Sequence, residues 1–267
     1  MSGEPVNASE GRIVVERRGA LLLIGIDRVA KRNGFTPAMF EGLTTALQRA
    51  EDDDDVRVSI LHAFGEHFSA GLQLDLFEQR LQDGLPLAPP DGVDPFQLRP
   101  PWRGKPCVAA MQGVCYTIAI ELMLAADIVV AAADCRFNQL EPRRGIMANH
   151  GGIHRMIERA GWGGAMRWLL TADEFDADTA LRLGLVQEVV DPGRQLTRAI
   201  EIAERIAQCA PIAIAATLGN GRAFATRGPE AAIAQLAPTQ AQLMQTEDAA
   251  EGVASFRSRR AAGFRGR

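Results

Sequence analysis

Residues 107–132 read CVAAMQGVCYTIAIELMLAADIVVAA. A short apolar run (CVAAMQ, 107–112) breaks at Gly113, a longer apolar segment follows, and a second short run (DIVVAA, 127–132) closes the stretch. Runs of four to eight residues are strand length, and the longer segment between them is helix length. Two strands joined by a helical crossover pair in parallel. Parallel strands are covered on both faces, which explains why neither short run alternates polar with apolar. The stretch predicts an α/β fold. It also contains an anomaly, because Glu121 is the only ionisable side chain between Thr117 and Ala126. An unpaired buried carboxylate costs several kcal/mol. Either Glu121 points into a solvated cleft or it is an expensive group kept for its chemistry.

The same grammar extends outward. IVVER (13–17) and ALLLIGI (20–26) flank Arg18-Gly19 and predict a β-hairpin. Pro37 opens a helix in which Met39, Phe40, Leu43 and Leu47 recur at helical spacing, with Thr36 as its N-cap and the acidic run Glu51–Asp55 as its solvated end. VRVSILHAF (56–64) suits a buried parallel strand, and FSAGLQLDLFEQRLQ passes from a small-residue turn into a helix. Residues 84–101 hold six prolines and form a long loop, either mobile or a functional lid. From about Gly151 the pattern is mostly helical, with one short strand at LVQEVV (185–190). After Asp191-Pro192-Gly193 no strand is expected. Two regions follow: a core over 1–193 and a helical C-terminal region over 194–267, whose alanine-rich faces need the core or another subunit to pack against.

Composition narrows the function classes. The chain has 267 residues, 47% of them hydrophobic, enough for a sizeable core. A net charge of −4 gives no global pull toward nucleic acid or an anionic membrane, although the tail after Phe256 is locally basic and reads as a solvated helix end. Cys107, Cys115, Cys135 and Cys209 show no CxxC pairing and read as buried thiols in a reducing compartment. MSGEPVNASEGR lacks the features of a signal peptide, and no stretch is long enough for a membrane span, so a cytoplasmic protein is expected.

Three features carry possible chemistry. FSAGLQLD and MQGVCYTIAIEL each put a small-residue turn before a helix start, where the first backbone N–H groups lack an intrahelical partner. Two such amides that converge make an oxyanion hole. The third is Glu141, twenty residues beyond Glu121 and across one strand. Two carboxylates near one reacting centre can divide acid and base roles.

Four blocks now stand in order: KRNGFTPAMFEGL (31–43), HFSAGLQLDLF (67–77), the segment from GKPCVAAMQG to EPRRGI (104–146), and GGIHRMIERAGWGG through LGLVQEVV (151–190). Together they resemble the crotonase (enoyl-CoA hydratase/isomerase) superfamily over most of the chain. The resemblance implies a spiral of repeated ββα units with a C-terminal helical region used in trimer packing, as a homotrimer or dimer of trimers. It also implies a substrate held as a coenzyme A thioester, with no separate cofactor or metal. Carried over position by position, the oxyanion-hole amides are those of Leu72 and Ile118. Glu121 matches the glutamate that positions and activates water, and Glu141 the one that exchanges a proton at the acyl α-carbon. Family members that only isomerise a double bond often lack the first, so the pair tilts the expectation toward an enoyl-CoA hydratase. Ser69, Ala70, Gly71, Gln73 and Leu74 are expected to line the substrate site with Asn149 and His150, His150 as a proton donor, a substrate hydrogen-bond partner or a structural histidine, and Lys31 and Arg32 either meet the phosphates of coenzyme A or form a solvated turn.

Two departures stand out. Thr117-Ile118-Ala119 occupies a segment that is glycine-rich in the family, which narrows the space beside the thioester, and MANHGG replaces a Pro-Gly-Ala-Gly-Gly segment, bringing Asn149 and His150 to the pocket. The rival readings are isomerisation, thioester hydrolysis or decarboxylation on the same fold, and a catalytically silent acyl-CoA binder. Arg143 and Arg144 read as a solvated or ion-paired couple, His62 and His67 as structural, and Trp102, Trp162 and Trp168 as packing residues.

Overall fold

In a computed structural model, described here over residues 10–267, the chain folds around a six-stranded sheet. Residues 1–9, and with them most of the stretch read for a targeting signal, lie outside the described residues. β1 (Arg12–Arg18) and β2 (Leu21–Asp27) form the expected antiparallel hairpin. Gly19 turns it at φ +60°, a conformation that favours glycine. β3 (Val58–Ala63), β4 (Cys107–Met111), β6 (Ile128–Ala132) and β9 (Glu188–Val190) then add in parallel, giving the order β1-β2-β3-β4-β6-β9. A second sheet, in the order β5-β7-β8, is built from β5 (Val114–Tyr116), β7 (Arg136–Asn138) and β8 (Phe175–Asp176). These strands hold only two or three residues each, too short for a periodicity to register.

The register sorts the apolar side chains between two faces. Leu21 pairs with Val58, Leu23 with Ile60 and Ile60 with Val108, so these side chains share one face. That face is covered by α6 (Gln195–Ala207) through Ala199 and Ala203. Leu22, Ile24 and Ile26 point the other way, into the main core with Met39, Phe40 and Leu43 of α1 (Pro37–Asp52). Thr36 Oγ1 accepts from Met39 N–H, the expected N-cap.

From β4 the chain turns at Gly113, where any Cβ would lie 2.2 Å from Glu66 O, enters β5, and rises into α3 (Ile118–Ala125). The next unit repeats the pattern with β6, β7 and α4 (Gly152–Thr171). This is the crotonase fold of ββα units with C-terminal helices. Every residue of α3 is buried, as expected of a helix apolar all round.

Several expectations need correction. The SAG turn leads into a 3-10 turn (Leu74–Leu76) and only then into the five-residue α2 (Glu78–Gln82). Cys209 is exposed, because α6 ends at Ala207, while Cys107, Cys115 and Cys135 are buried. Trp162 is 70% exposed and packs no core, since Gly161 (φ +71°) breaks α4 beside it. The basic tail folds back, with Arg260 ion-paired to Glu251 and the Arg265 and Gly266 amides donating to Asp248. Beyond α6 the chain forms α7 (Pro211–Arg227), α8 (Pro229–Leu243) and α9 (Glu247–Ser258). α7 and α8 pair with each other and leave Phe224, Ile233 and Leu236 more than half exposed. Among the described residues no helix is long and apolar enough to cross a membrane.

Candidate active site

Two segments distant in sequence run side by side at the centre of the site. Ser69 and Cys115 form a parallel β-bridge, in which Ser69 N–H donates to Val114 O (3.1 Å) and Tyr116 N–H to Ser69 O (3.0 Å). Gly71 thereby abuts Thr117, with a Cβ on Gly71 falling 2.6 Å from Thr117 Oγ1. A second bridge pairs Phe35 with Leu72; it consumes Gly71 O and Gln73 N–H and skips Leu72 N–H. Leu72 N–H is thus freed by bridge geometry rather than by a helix start. Ile118 is the first residue of α3, where a helix has unpartnered N–H groups. Among the described residues neither amide has a hydrogen-bond partner. Both residues line one cavity of about 250 Å³.

The turn that presents Ile118 is strained. Thr117 has φ +52° and ψ −113°, a region that favours glycine and is an outlier for a β-branched residue. Such a conformation costs on the order of 1–3 kcal/mol. It is held by Thr117 N–H donating to Asn138 O (2.8 Å) and by Thr117 O accepting from Ile120 N–H (2.9 Å). Threonine thus occupies a glycine backbone position and keeps its geometry.

Glu121 is 2% exposed, yet its carboxylate has partners. Its Oε1 accepts from His150 N–H (2.7 Å) and Gly152 N–H (3.0 Å), so Glu121 caps the start of α4. Both glycines of HGG serve this contact. Gly151 sits at φ +95°, and a Cβ on Gly152 would lie 2.6 Å from the Gln139 amide and 3.1 Å from Glu121. Burial nevertheless pushes the Glu121 carboxyl up to about 7, against the two N–H donors, and the nearby Glu141 adds to the rise.

Glu141 opens a 3-10 turn after β7 and is 7% exposed. Burial pushes its carboxyl up to about 7 as well. Gln139, not singled out by the sequence, has its side-chain amide against Glu141 and Thr117 O; with the amide oriented so that its nitrogen faces these acceptors, it donates to the Glu141 carboxyl (3.1 Å) and to Thr117 O (3.3 Å). It ties the second carboxyl to the turn that presents the Ile118 amide. The signal for it was slight: a polar residue, 1% exposed in the fold, two positions before the glutamate.

The cavity is also lined by Ala70, Leu74, Thr117, Asn149 and His150. Ala70 and Leu72 also line a neighbouring open groove of about 830 Å³, together with Arg28, Lys31 and Gln73. Arg32 does not line either space. Ser69 is fully buried, its hydroxyl donating to Asn33 O (2.8 Å) and accepting from Gly71 N–H (3.1 Å), so it shapes the turn from behind. Arg144 lines the cavity, whereas Arg143 pairs with Asp173 (3.3 Å). His62 is buried beside Phe64, and His67 Nδ1 accepts from Val114 N–H, both structural. Among the described residues no group of three His, Cys, Asp or Glu side chains converges to hold a metal ion.

Two unpartnered amides beside two buried carboxyls are an arrangement that can stabilise an oxyanion and move protons at an adjacent carbon. Comparison with known proteins agrees on the class. A family model described as enoyl-CoA hydratase/isomerase matches residues 16–267, and the chain belongs to that family, within the crotonase superfamily. It is 29% identical to the 2,3-dehydroadipyl-CoA hydratase of Escherichia coli (strain K12), over 96% of this chain and 99% of that one. Among solved structures, a probable enoyl-CoA hydratase/isomerase from Mycobacterium abscessus superposes with a TM-score of 0.93 at 45% identity, covering 96% of this chain and 98% of that one. An enoyl-CoA hydratase from Mycobacterium tuberculosis H37Rv superposes with a TM-score of 0.87 at 33% identity, covering 96% and 99%.

Proposed function

We propose that the protein hydrates a 2-enoyl-CoA thioester. The observation that carries this reading is the pairing of Glu121 and Glu141 in one cavity with the free amides of Leu72 and Ile118. The thioester carbonyl accepts from those two amides, and the pantetheine and nucleotide lie along the adjoining groove past Lys31 and Arg28. As water adds to C3, the C2=C3 π pair moves onto the thioester oxygen as an enolate. Each preorganised donor lowers that barrier by roughly 3 kcal/mol.

The two carboxyls divide the proton work. Glu121, positioned by two backbone N–H bonds, takes the proton from water as the oxygen bonds to C3. Glu141 acts as the acid, giving its proton to C2 as the enolate collapses; Gln139 orients its carboxyl. With both groups near 7, one proton shared between two sites is the populated state at neutral pH.

Recombinant protein is expected to bleach the ultraviolet absorbance of a conjugated enoyl thioester and to yield a product heavier by one water. No turnover on any chain length, or full turnover by Glu141→Gln, defeats the reading. Isomerisation is separated by a product of unchanged mass. We further propose that residues 194–267 serve subunit packing in a homotrimer or dimer of trimers. The exposed Phe224, Ile233 and Leu236 on α7 and α8 support this, and sedimentation tests it.

A further inference from the structure

The cavity that holds the two glutamates adjoins a second chamber of about 300 Å³ beneath the 84–101 loop. The two spaces share Leu81, Leu87, Asn149 and His150 as lining residues, so His150 stands at the boundary between them. That ring is 9% exposed and packs against Phe96, with centroids 4.6 Å apart. Its Nδ1 is enclosed without a hydrogen-bond partner and lies 4.0 Å from Glu121 Oε2. Among the described residues the side chain makes no hydrogen bond at all.

A buried polar group without a partner is uncommon, and each case calls for an explanation. Phenylalanine or leucine would serve the contact with Phe96 equally well and leave nothing unsatisfied. A plain alkyl chain passing this point would expel water from the chamber and seal the ring without a partner. A chain carrying oxygen would complete it.

We infer that His150 is a specificity-determining residue that hydrogen-bonds an uncharged oxygen substituent, a hydroxyl or carbonyl, on the acyl chain a few bonds beyond C3. The inference rests on the enoyl-CoA reading and deepens it. Burial lowers the imidazole to about 4, so at neutral pH it is uncharged, with one donor and one acceptor nitrogen. The chamber disfavours an anion. The buried Asp94 lines it, its carboxyl oxygens accepting from the Phe96 and Leu98 N–H groups. The chamber's cation, Arg99, is tied to the carbonyls of Pro89 and Pro90. Apart from Asn149 the remaining side chains of the wall, among them Leu81, Leu87 and Leu98, are apolar.

The test is calorimetric binding of three saturated thioesters that cannot turn over: hexanoyl-CoA, 5-hydroxyhexanoyl-CoA and adipoyl-CoA. The wild type is expected to bind the hydroxylated thioester about tenfold more tightly than hexanoyl-CoA, the scale of one net hydrogen bond. In His150→Phe the ratio is expected to fall to about one, and in His150→Gln, which retains a donor and an acceptor, a preference remains. Equal wild-type affinities, a preference that survives in His150→Phe, or tightest binding of adipoyl-CoA overturns the inference and leaves the thioester reading standing. Binding of none of the three overturns the thioester reading itself.

Discussion

Replacing Glu121 by glutamine is expected to make the protein more stable and less active at once. The folded state holds this carboxyl 2% exposed and raises it from 4.5 to about 7. Below about pH 4.5 the folded and unfolded chains both carry the proton, and burial adds no ionisation cost. Between 4.5 and 7 the unfolded chain has released it while the folded chain retains it, so stability falls as pH rises. Above 7 the full cost applies. The rise from 4.5 to about 7, at ~1.4 kcal/mol per pH unit, amounts to about 3 kcal/mol. Glutamine removes it, and its side-chain carbonyl still accepts from His150 and Gly152 N–H. At pH 8 Glu121→Gln should therefore melt roughly 6–12 °C higher than the wild type, taking ~2–4 °C per kcal/mol for a chain of this size. At pH 5 the gain should shrink to ~1 kcal/mol or less. Turnover should fall by ~10²–10⁴, the usual worth of one acid–base group. Paired melts at the two pH values, at one protein concentration, check this. An equal gain at both, or a loss at pH 8, refutes the account of Glu121 as a strained, functional charge.

With both carboxyls near 7, kcat/KM should follow a narrow bell centred near pH 7, since activity needs one group ionised and the other protonated; a plateau from pH 6 to 8 would contradict this. Gly71→Ala meets both a left-handed backbone (φ +110°) and the Thr117 hydroxyl at 2.6 Å. It should displace the Leu72 amide and cost ~10²–10³ in kcat, with circular dichroism showing the fold retained. Arg103→Met leaves the site untouched and breaks the buried contacts to Asp127 (3.1 Å) and Ala125 O (2.7 Å). Urea unfolding should show a loss of ~3–5 kcal/mol.

Much of this architecture is legible in the residues. The apolar runs at 20–26, 56–64 and 107–112 are strands because they are too short and too uniformly apolar to be anything else beside helix-length segments. Thr36-Pro37 marks a helix start because a hydroxyl cap and a fixed φ act locally. β5, β7 and β8 were not readable, since their pairing depends on partners twenty or more residues away. Trp162 misled because hydrophobicity favours burial but cannot specify it; the surface that a break at Gly161 exposes is a property of the assembled chain.

The sequence by itself determined that Glu121 is an expense, because one charge in an apolar helix is costly wherever that helix is buried. It also determined that Glu141 and two small-residue turns are available. Only the tertiary structure decided what these groups do together. The Ser69–Cys115 bridge sets two free amides in one wall, the HGG amides hold the first carboxylate, and Gln139 holds the second. The bridge and the HGG contacts join segments far apart in sequence, and the Gln139–Glu141 contact depends on how the intervening backbone turns; neither is encoded in local pattern. The same holds for Thr117, whose presence in the turn is legible in the sequence but whose backbone, at φ +52° and ψ −113°, is set by contacts with Asn138 and Ile120.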